Sequence, residues 1–244
     1  MSDMDELRAD IDRVDTELLA LIGKRLRLAE RVREAKKDEG GRVWRPAREE
    51  SLVRDLVEEG RDERGRGISP PLVSRVWAEL VSASLAVQGP MAVHVGLEGD
   101  RLHAWSLVRD RFGAALPVYS YPTTSAALAA AAADAQGVAV VPSPGGMNNW
   151  WVALCPGGAM EGMSIQTGLP RVRNALWPHD DWPRAVAVAA GEPQGSGADR
   201  WLVVTRSEPS GTARAEAGGW TLSDTREPEG AHIIGVLPDP LPHE

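Results

Sequence analysis

An arginine stands inside the apolar seam of what reads as one long helix. From Leu7 onward, apolar residues recur at alternating spacings of four and three, through Ile11, Val14, Leu18, Leu21, Leu28, Val32 and Ala35, and Arg25 occupies a place in that stripe. A guanidinium pressed against a partner helix loses hydration and calls for an anion to offset it. Lys36 follows close to the same face, roughly 16 Å along the axis at about 1.5 Å per residue. Two cations at that separation could grip the two ends of a small dianion. The plainer reading, that Arg25 reaches back to water or specifies helix register, stays open on this evidence. Further on, Ser84 and Gln88 lie one turn apart on an otherwise apolar helical face. Alone, Ser84 would bond back to a helix carbonyl and Gln88 would face water at a helix end. Together, on a face expected to meet the first helix, they add polar donors to the two cations.

The elements that must position these groups are helical at first. Helix one is expected from about Asp5 to Asp38, stopped by Gly40-Gly41, with Gly23 its one internal glycine. A helix of that length leaves an apolar stripe that other helices or another chain must cover. Helix two opens at Pro46, with Glu49 and Glu50 near its positive N-terminal end and Leu52, Val53, Leu56 and Val57 as its apolar face. A charged loop, Gly60 to Gly67, follows. Helix three starts at Ser69 as N-cap with Pro70 in the first turn, and its expected buried stripe is Leu72, Val73, Val76, Trp77, Leu80 and Val81.

After Gln88-Gly89-Pro90 the rhythm changes. Strands are expected at Met91–Val95, Gly137–Val141, Ala185–Ala189, Trp201–Val204, Trp220–Leu222 and Ile233–Val236. Helices are expected at Leu102–Phe112 and Thr123–Ala135. The boundary near residue 90 divides the chain into a helical domain, 1–90, and a smaller α/β domain, 91–244.

Composition narrows the chemistry. The formal net charge of −8 argues against general nucleic-acid binding. No stretch approaches the apolar run of a membrane helix, and the start is acidic without a cleavable apolar segment, so no membrane partner and a cytoplasmic setting are expected. The single cysteine, Cys155, forms no intrachain disulfide and lacks a recognisable catalytic partner. His94, His103, His179, His232 and His243 show no metal-ligand spacing, so neither metal nor cofactor is expected.

Over Leu7 to Gln88 the chain resembles the all-helical chorismate mutase family, whose three-helix chains interlock as dimers and rearrange chorismate to prephenate. The matching residues are Leu7-Arg8 with Ile11, Asp15 and Leu18-Leu19, then Arg25, Ala35-Lys36, Arg48-Glu49, and Ser84 with Gln88. Arg45 departs from the pattern, standing where the family often has an aspartate. The resemblance implies that this position acts through its backbone amide, which Arg45 still supplies. It further implies an intertwined helical dimer in aromatic amino acid biosynthesis. In it Arg25, Lys36, Glu49 and Gln88 are catalytic, and Arg8, Arg45, Arg48 and Ser84 bind substrate. Lys36 and Gln88 would donate to the ether oxygen, Glu49 would accept from the ring hydroxyl, Arg48 would brace the site, and Ser84 would hold the far end.

Helix length adds a consequence. Arg8 lies about 25 Å from Arg25 and about 42 Å from Lys36 on a straight helix. If Arg8 takes part it comes from a second subunit, and the active sites are shared across a twofold axis. Every contact so assigned precedes Pro90, so residues 1–90 are expected to suffice for activity.

The C-terminal segment resembles prephenate dehydratase domains faintly, at His94-Val95-Gly96-Leu97-Glu98-Gly99, at Arg111-Phe112-Gly113 and at Val138–Pro142. It departs where that chemistry should sit. Ser143-Pro144-Gly145-Gly146 replaces the acidic, asparagine-bearing turn, and Asp199-Arg200-Trp201-Leu202 and Thr205-Arg206 only echo the threonine-arginine-phenylalanine motif. A degenerate domain, inactive as a dehydratase, is the expectation. A bifunctional mutase and dehydratase is the second reading. The third is a non-catalytic helical dimerisation module carrying a small-molecule-binding α/β domain.

Overall fold

A computed structural model describes residues 3–35, 42–61, 67–173, 182–206 and 213–243. Helix α1 runs Asp3–Ala35, α2 Pro46–Glu59 and α3 Pro70–Gln88. The stop expected at Gly40-Gly41 falls outside the described residues. Pro46 and Pro70 open their helices, where an absent N–H costs nothing. Ser69 precedes α3 but makes no side-chain cap bond.

Along α1 only Ala29 is buried. The stripe expected to be covered stands open instead: Leu7, Ile11, Val14, Leu18 and Leu21 are each at least half exposed. Against the body of the molecule α1 packs on α3. The face that α3 buries matches the expected one only in part: Trp77, Leu80 and Val81 are half-buried. Leu72 and Val76 are exposed, whereas Val73, Ser74, Ala78, Ser82, Ser84 and Leu85 are buried. Small residues face inward because α4, Arg101–Phe112, packs closely there. At the end of α4, Gly113 has φ +62°, and a Cβ on it would come within 2.7 Å of the Ser82 Cβ.

The α/β part is the larger of the two, not the smaller. Its strands are β1 Val93–Val95, β2 Val118–Ser120, β3 Val138–Pro142, β4 Met163–Leu169, β5 Ala185–Ala190, β6 Asp199–Thr205, β7 Ala215–Ala217, β8 Trp220–Thr225 and β9 His232–Pro238. They form one mixed sheet in the order β2-β1-β3-β5-β4-β9-β6-β8-β7, parallel around β1 and antiparallel through most of the rest. Helix α5, Thr124–Ala133, is capped by the Thr123 hydroxyl, which accepts from the Ala126 amide. A 3₁₀ turn spans Trp150–Leu154.

Strands β2, β4 and β7 were not among those expected, and β4 is the longest of them. Both faces of β4 are buried, and its apolar–polar alternation breaks at Thr167-Gly168, so it shows neither a sustained solvent-facing period nor a continuous apolar run. Its polar groups are satisfied by distant parts of the chain: Ser164 Oγ donates to the Gly191 carbonyl, and Thr167 Oγ1 donates to Glu50.

The two parts share a core. Trp44 and Leu85 from the helical side cluster with Met91, Leu107, Phe112, Leu169 and the inner residues of β3 and β5. Polar contacts stitch the seam further. Glu79 accepts from the Ala114 amide at 2.9 Å, Ser82 from the Ala115 amide at 3.1 Å, and Arg54 donates to Ser196 at 3.0 and 3.1 Å.

Candidate functional site

A cavity of about 340 Å³ opens between the C-terminal half of α1, the start of α2 and the end of α3. Its polar wall is Arg25, Arg45, Arg48, Glu49, Ser84 and Gln88, and its apolar wall is Leu28, Val32, Val43, Leu52, Val81 and Leu85. A pocket for one small molecule with few placed polar groups has this character and this size, at the low end of the ~300–1,000 Å³ typical of such sites.

Three helices deliver the polar wall. Arg25 reaches across from α1 to α3, where its Nη1 donates to the Leu80 carbonyl at 2.6 Å and to Ser84 Oγ at 2.5 Å. Ser84 in turn donates back to the Leu80 carbonyl at 2.8 Å. The seam arginine therefore meets a hydroxyl and a helix carbonyl rather than a carboxylate. Burial holds its pKa below the ordinary arginine value, and the negative charge of Glu49 partly offsets that. Gln88, half-buried, closes α3 just before Gly89. Arg45 and Arg48 are exposed at the rim, Arg45 at the N-cap of α2 and Arg48 in its first turn.

Six of the eight residues expected from the sequence thus line one cavity. Arg8 does not; it lies on the exposed N-terminal half of α1. Lys36 lies outside the described residues.

Glu49 is the group whose setting the sequence did not disclose. It is only 7% exposed, and its Oε2 accepts from Arg111 Nη1 at 2.7 Å. Arg171 Nη2 stands 4.0 Å from the same oxygen. Beside it Glu50, also buried, accepts from Arg171 Nε at 2.9 Å and from Thr167 at 3.2 Å, and lies 3.0 Å from Arg111 Nη2. That last approach is a charge contact without hydrogen-bond alignment. Burial pushes the Glu50 carboxyl up, but Arg171 and Arg111 outweigh it and hold it below the ordinary carboxylate value. Nothing local marked Arg111 as a partner of Glu49. In the last turn of α4 a basic residue reads as a complement to the helix dipole, and only the tertiary fold turns it onto Glu49.

A second cleft, of about 940 Å³, opens in the α/β part. It brings together Ser143-Pro144-Gly145-Gly146 and Arg200, the two places where the sequence departs from or echoes a dehydratase, with Arg173, Arg184 and Arg214. Arg214 is bound to both oxygens of Asp224 at 3.1 Å and to Ser143 Oγ at 3.0 Å. Arg200 lies over the Trp182 ring, 3.4 Å from Asp224 Oδ2. No carboxyl, imidazole or thiol is among the described residues lining this cleft. Cys155 is buried elsewhere, and burial pushes its thiol up to about 11, so it stays protonated at neutral pH. The described residues gather no cluster of metal-ligating side chains, and no described helix is long and apolar enough to cross a membrane.

Comparison with known proteins agrees with the helical part. Residues 7–89 match the family model described as Chorismate mutase type II. A curated relative, "Bifunctional chorismate mutase/prephenate dehydratase" from Aquifex aeolicus (strain VF5), is 28% identical over 93 residues, 38% of this chain and 26% of the relative. The match thus spans about a quarter of that relative's length. No solved structure matches the chain.

Proposed function

We propose that the chain is a chorismate mutase, converting chorismate to prephenate by an intramolecular Claisen rearrangement. The observation that carries this is the convergence of Arg25, Arg45, Arg48, Glu49, Ser84 and Gln88, from three helices, on one cavity of about 340 Å³. The family match over residues 7–89 supports it.

The chemistry suits such a wall. Chorismate carries two carboxylates, a ring hydroxyl and an ether oxygen that gains negative charge as its bond breaks. The rearrangement is concerted and needs no nucleophile. Rate comes from holding the compact conformer and placing donors where charge develops. Arg25 takes a carboxylate through Nε and Nη2, which bond no other group among the described residues, while Nη1 bonds to α3. Gln88, with Lys36, donates to the ether oxygen. Glu49 accepts from the ring hydroxyl. Ser84 holds the far end, while Arg48 and the Arg45 amide close the rim.

The site takes a further cation, Arg8, from a second copy of the chain. The exposed stripe from Leu7 to Leu21 supports this pairing, because a solvent-facing heptad seam is stabilised by a partner helix. Two copies running antiparallel along α1 would place each Arg8 at the other's cavity. We assign the helical domain to residues 1–90 and the α/β domain to 91–244, in the cytoplasm.

The α/β cleft has a different chemistry. Its guanidinium lining favours an anion, but expelling the hydroxyl of prephenate as water needs a proton donor, and no such side chain lines its described part. The Ser143-Pro144-Gly145-Gly146 turn, which departs from the dehydratase pattern, also lines it, and we assign the cleft no dehydratase step. The test is a continuous assay of chorismate loss with product identification. One prephenate per chorismate is expected, with no phenylpyruvate formed before acid treatment. No loss of chorismate overturns the mutase, and phenylpyruvate formed at a comparable rate restores the bifunctional reading.

A further inference from the structure

We propose that Arg111, a residue of the α/β part, is a positioning residue for the mutase site, acting by fixing the orientation of Glu49. The inference rests on the mutase reading above and adds a component that lies beyond the matched residues 7–89.

Glu49 has two oxygens and two tasks. Oε2 is engaged by Arg111 at 2.7 Å, while Oε1 has no hydrogen-bond partner among the described residues. A glutamate in the first turn of a helix otherwise samples several rotamers, and only one presents a lone pair to a ring hydroxyl. Gripping one oxygen fixes the direction in which the other can accept.

Arg111 is itself enclosed, with Nη1 as its hydrogen-bonded nitrogen. Its side chain is 1% exposed. Its guanidinium lies 5.8 Å from the centre of the Trp44 ring and 5.4 Å from that of Phe112. Its Nη2 stands 3.0 Å from Glu50, whose remaining oxygen is held by Arg171. Two carboxylates from α2 and two guanidiniums from the α/β part thus make a neutral buried square, one corner of which faces the cavity. Replacing buried ion pairs by apolar residues is often neutral or stabilising, so stability by itself is a weak reason for such a square. A corner open to a ligand is a stronger one.

Arg111→Lys keeps the charge but cannot span Glu49 and Glu50 together. The readout is the ratio of kcat/KM for chorismate to that for chorismate methylated at its ring hydroxyl, measured on the full chain after checking its fold by circular dichroism. The wild type should favour the free hydroxyl, and Arg111→Lys should lower that ratio at least tenfold. A merely structural arginine would slow both substrates alike, so an unchanged ratio in a folded variant overturns the proposal while leaving the mutase standing. In a Glu49→Gln background the Arg111→Lys change should have little further effect on the ratio. If Arg111→Lys does not fold, Glu50→Gln, which weakens the other anchor of Arg111, should shift the ratio in the same direction, and no shift there also overturns it. A wild-type chain that does not consume chorismate removes the mutase reading and this proposal with it.

Discussion

Helix α1 and the central sheet solve the same problem in opposite ways. In β3, β4 and β5 nearly every side chain is buried, and α2, α4 and α5 pack on these strands. In α1 one residue of thirty-three is buried, and the apolar line stands in solvent. The difference separates a part whose core is complete within one chain from a helix whose apolar line is left uncovered by the described residues. It also explains why the candidate active site lies where it does. The cavity at the edge of that uncovered helix is one a neighbouring chain could finish, whereas the cleft of the α/β part is lined by that part's own residues.

The strongest way to break the contrast is to cut it. The helical part borrows Arg111 and Arg171 for its two buried carboxylates, and Phe112 and Leu107 for its core. A chain ending at Pro90 loses all of them. Removing one partner of a buried ion pair costs about 3–5 kcal/mol, against a typical total stability of ~5–15 kcal/mol. The truncated chain should therefore lose cooperative thermal unfolding by circular dichroism and lose its activity, contrary to the self-sufficiency that residues 1–90 suggest when read alone. A stable, active 1–90 dimer would show the seam to be dispensable.

A second test keeps the fold and removes the clamp. Arg25→Ala should lower kcat/KM at least a thousandfold, about 4 kcal/mol of transition-state stabilisation. A folded variant within tenfold of wild type would exclude Arg25 from the site.

Sharpening the idea of a shared core needs two chains. Arg8→Ala and Arg25→Ala should each be nearly inactive alone. Refolded together they give mixed dimers in which one site carries both defects and the other neither, so about a quarter of all sites are whole. Activity should recover to roughly that fraction. Mixed dimers as inactive as their parents would place Arg8 outside the site.

The smallest expected effect is on pH. Glu50 has a folded pKa below its unfolded one, so its contribution is present above the unfolded carboxylate value of about 4.3 and is lost as pH falls through the folded value. Melting temperature should drop more steeply on acidification in the wild type than in Glu50→Gln. Parallel curves would remove the square of charges from the stability of the seam.

The legible parts of the sequence were those written in short-range pattern. The heptad of α1, Pro46 and Pro70 at helix starts, and the run Ala185–Ala189 each carry their periodicity or chain-breaker locally. So did the polar wall, since Arg25, Ser84 and Gln88 interrupt apolar stripes at helical spacing. Strand β4 was not legible, because Ser164, Gln166 and Thr167 find their partners at Gly191 and Glu50. Nor was the inward face of α3, where Leu72 and Val76 looked like core. Close packing by α4 selected Ser74, Ala78 and Ser82 instead.

By itself, then, the sequence determined that three helices exist and which residues along them are chemically out of place, because helical period and side-chain type are local properties. Only the tertiary structure decided what those residues meet. Arg25 meets Ser84 and the Leu80 carbonyl, and Glu49 meets an arginine from beyond the helices, sixty-two positions away. A buried charge is stable only where the fold brings its counter-charge, and no short-range pattern records which distant residue that will be.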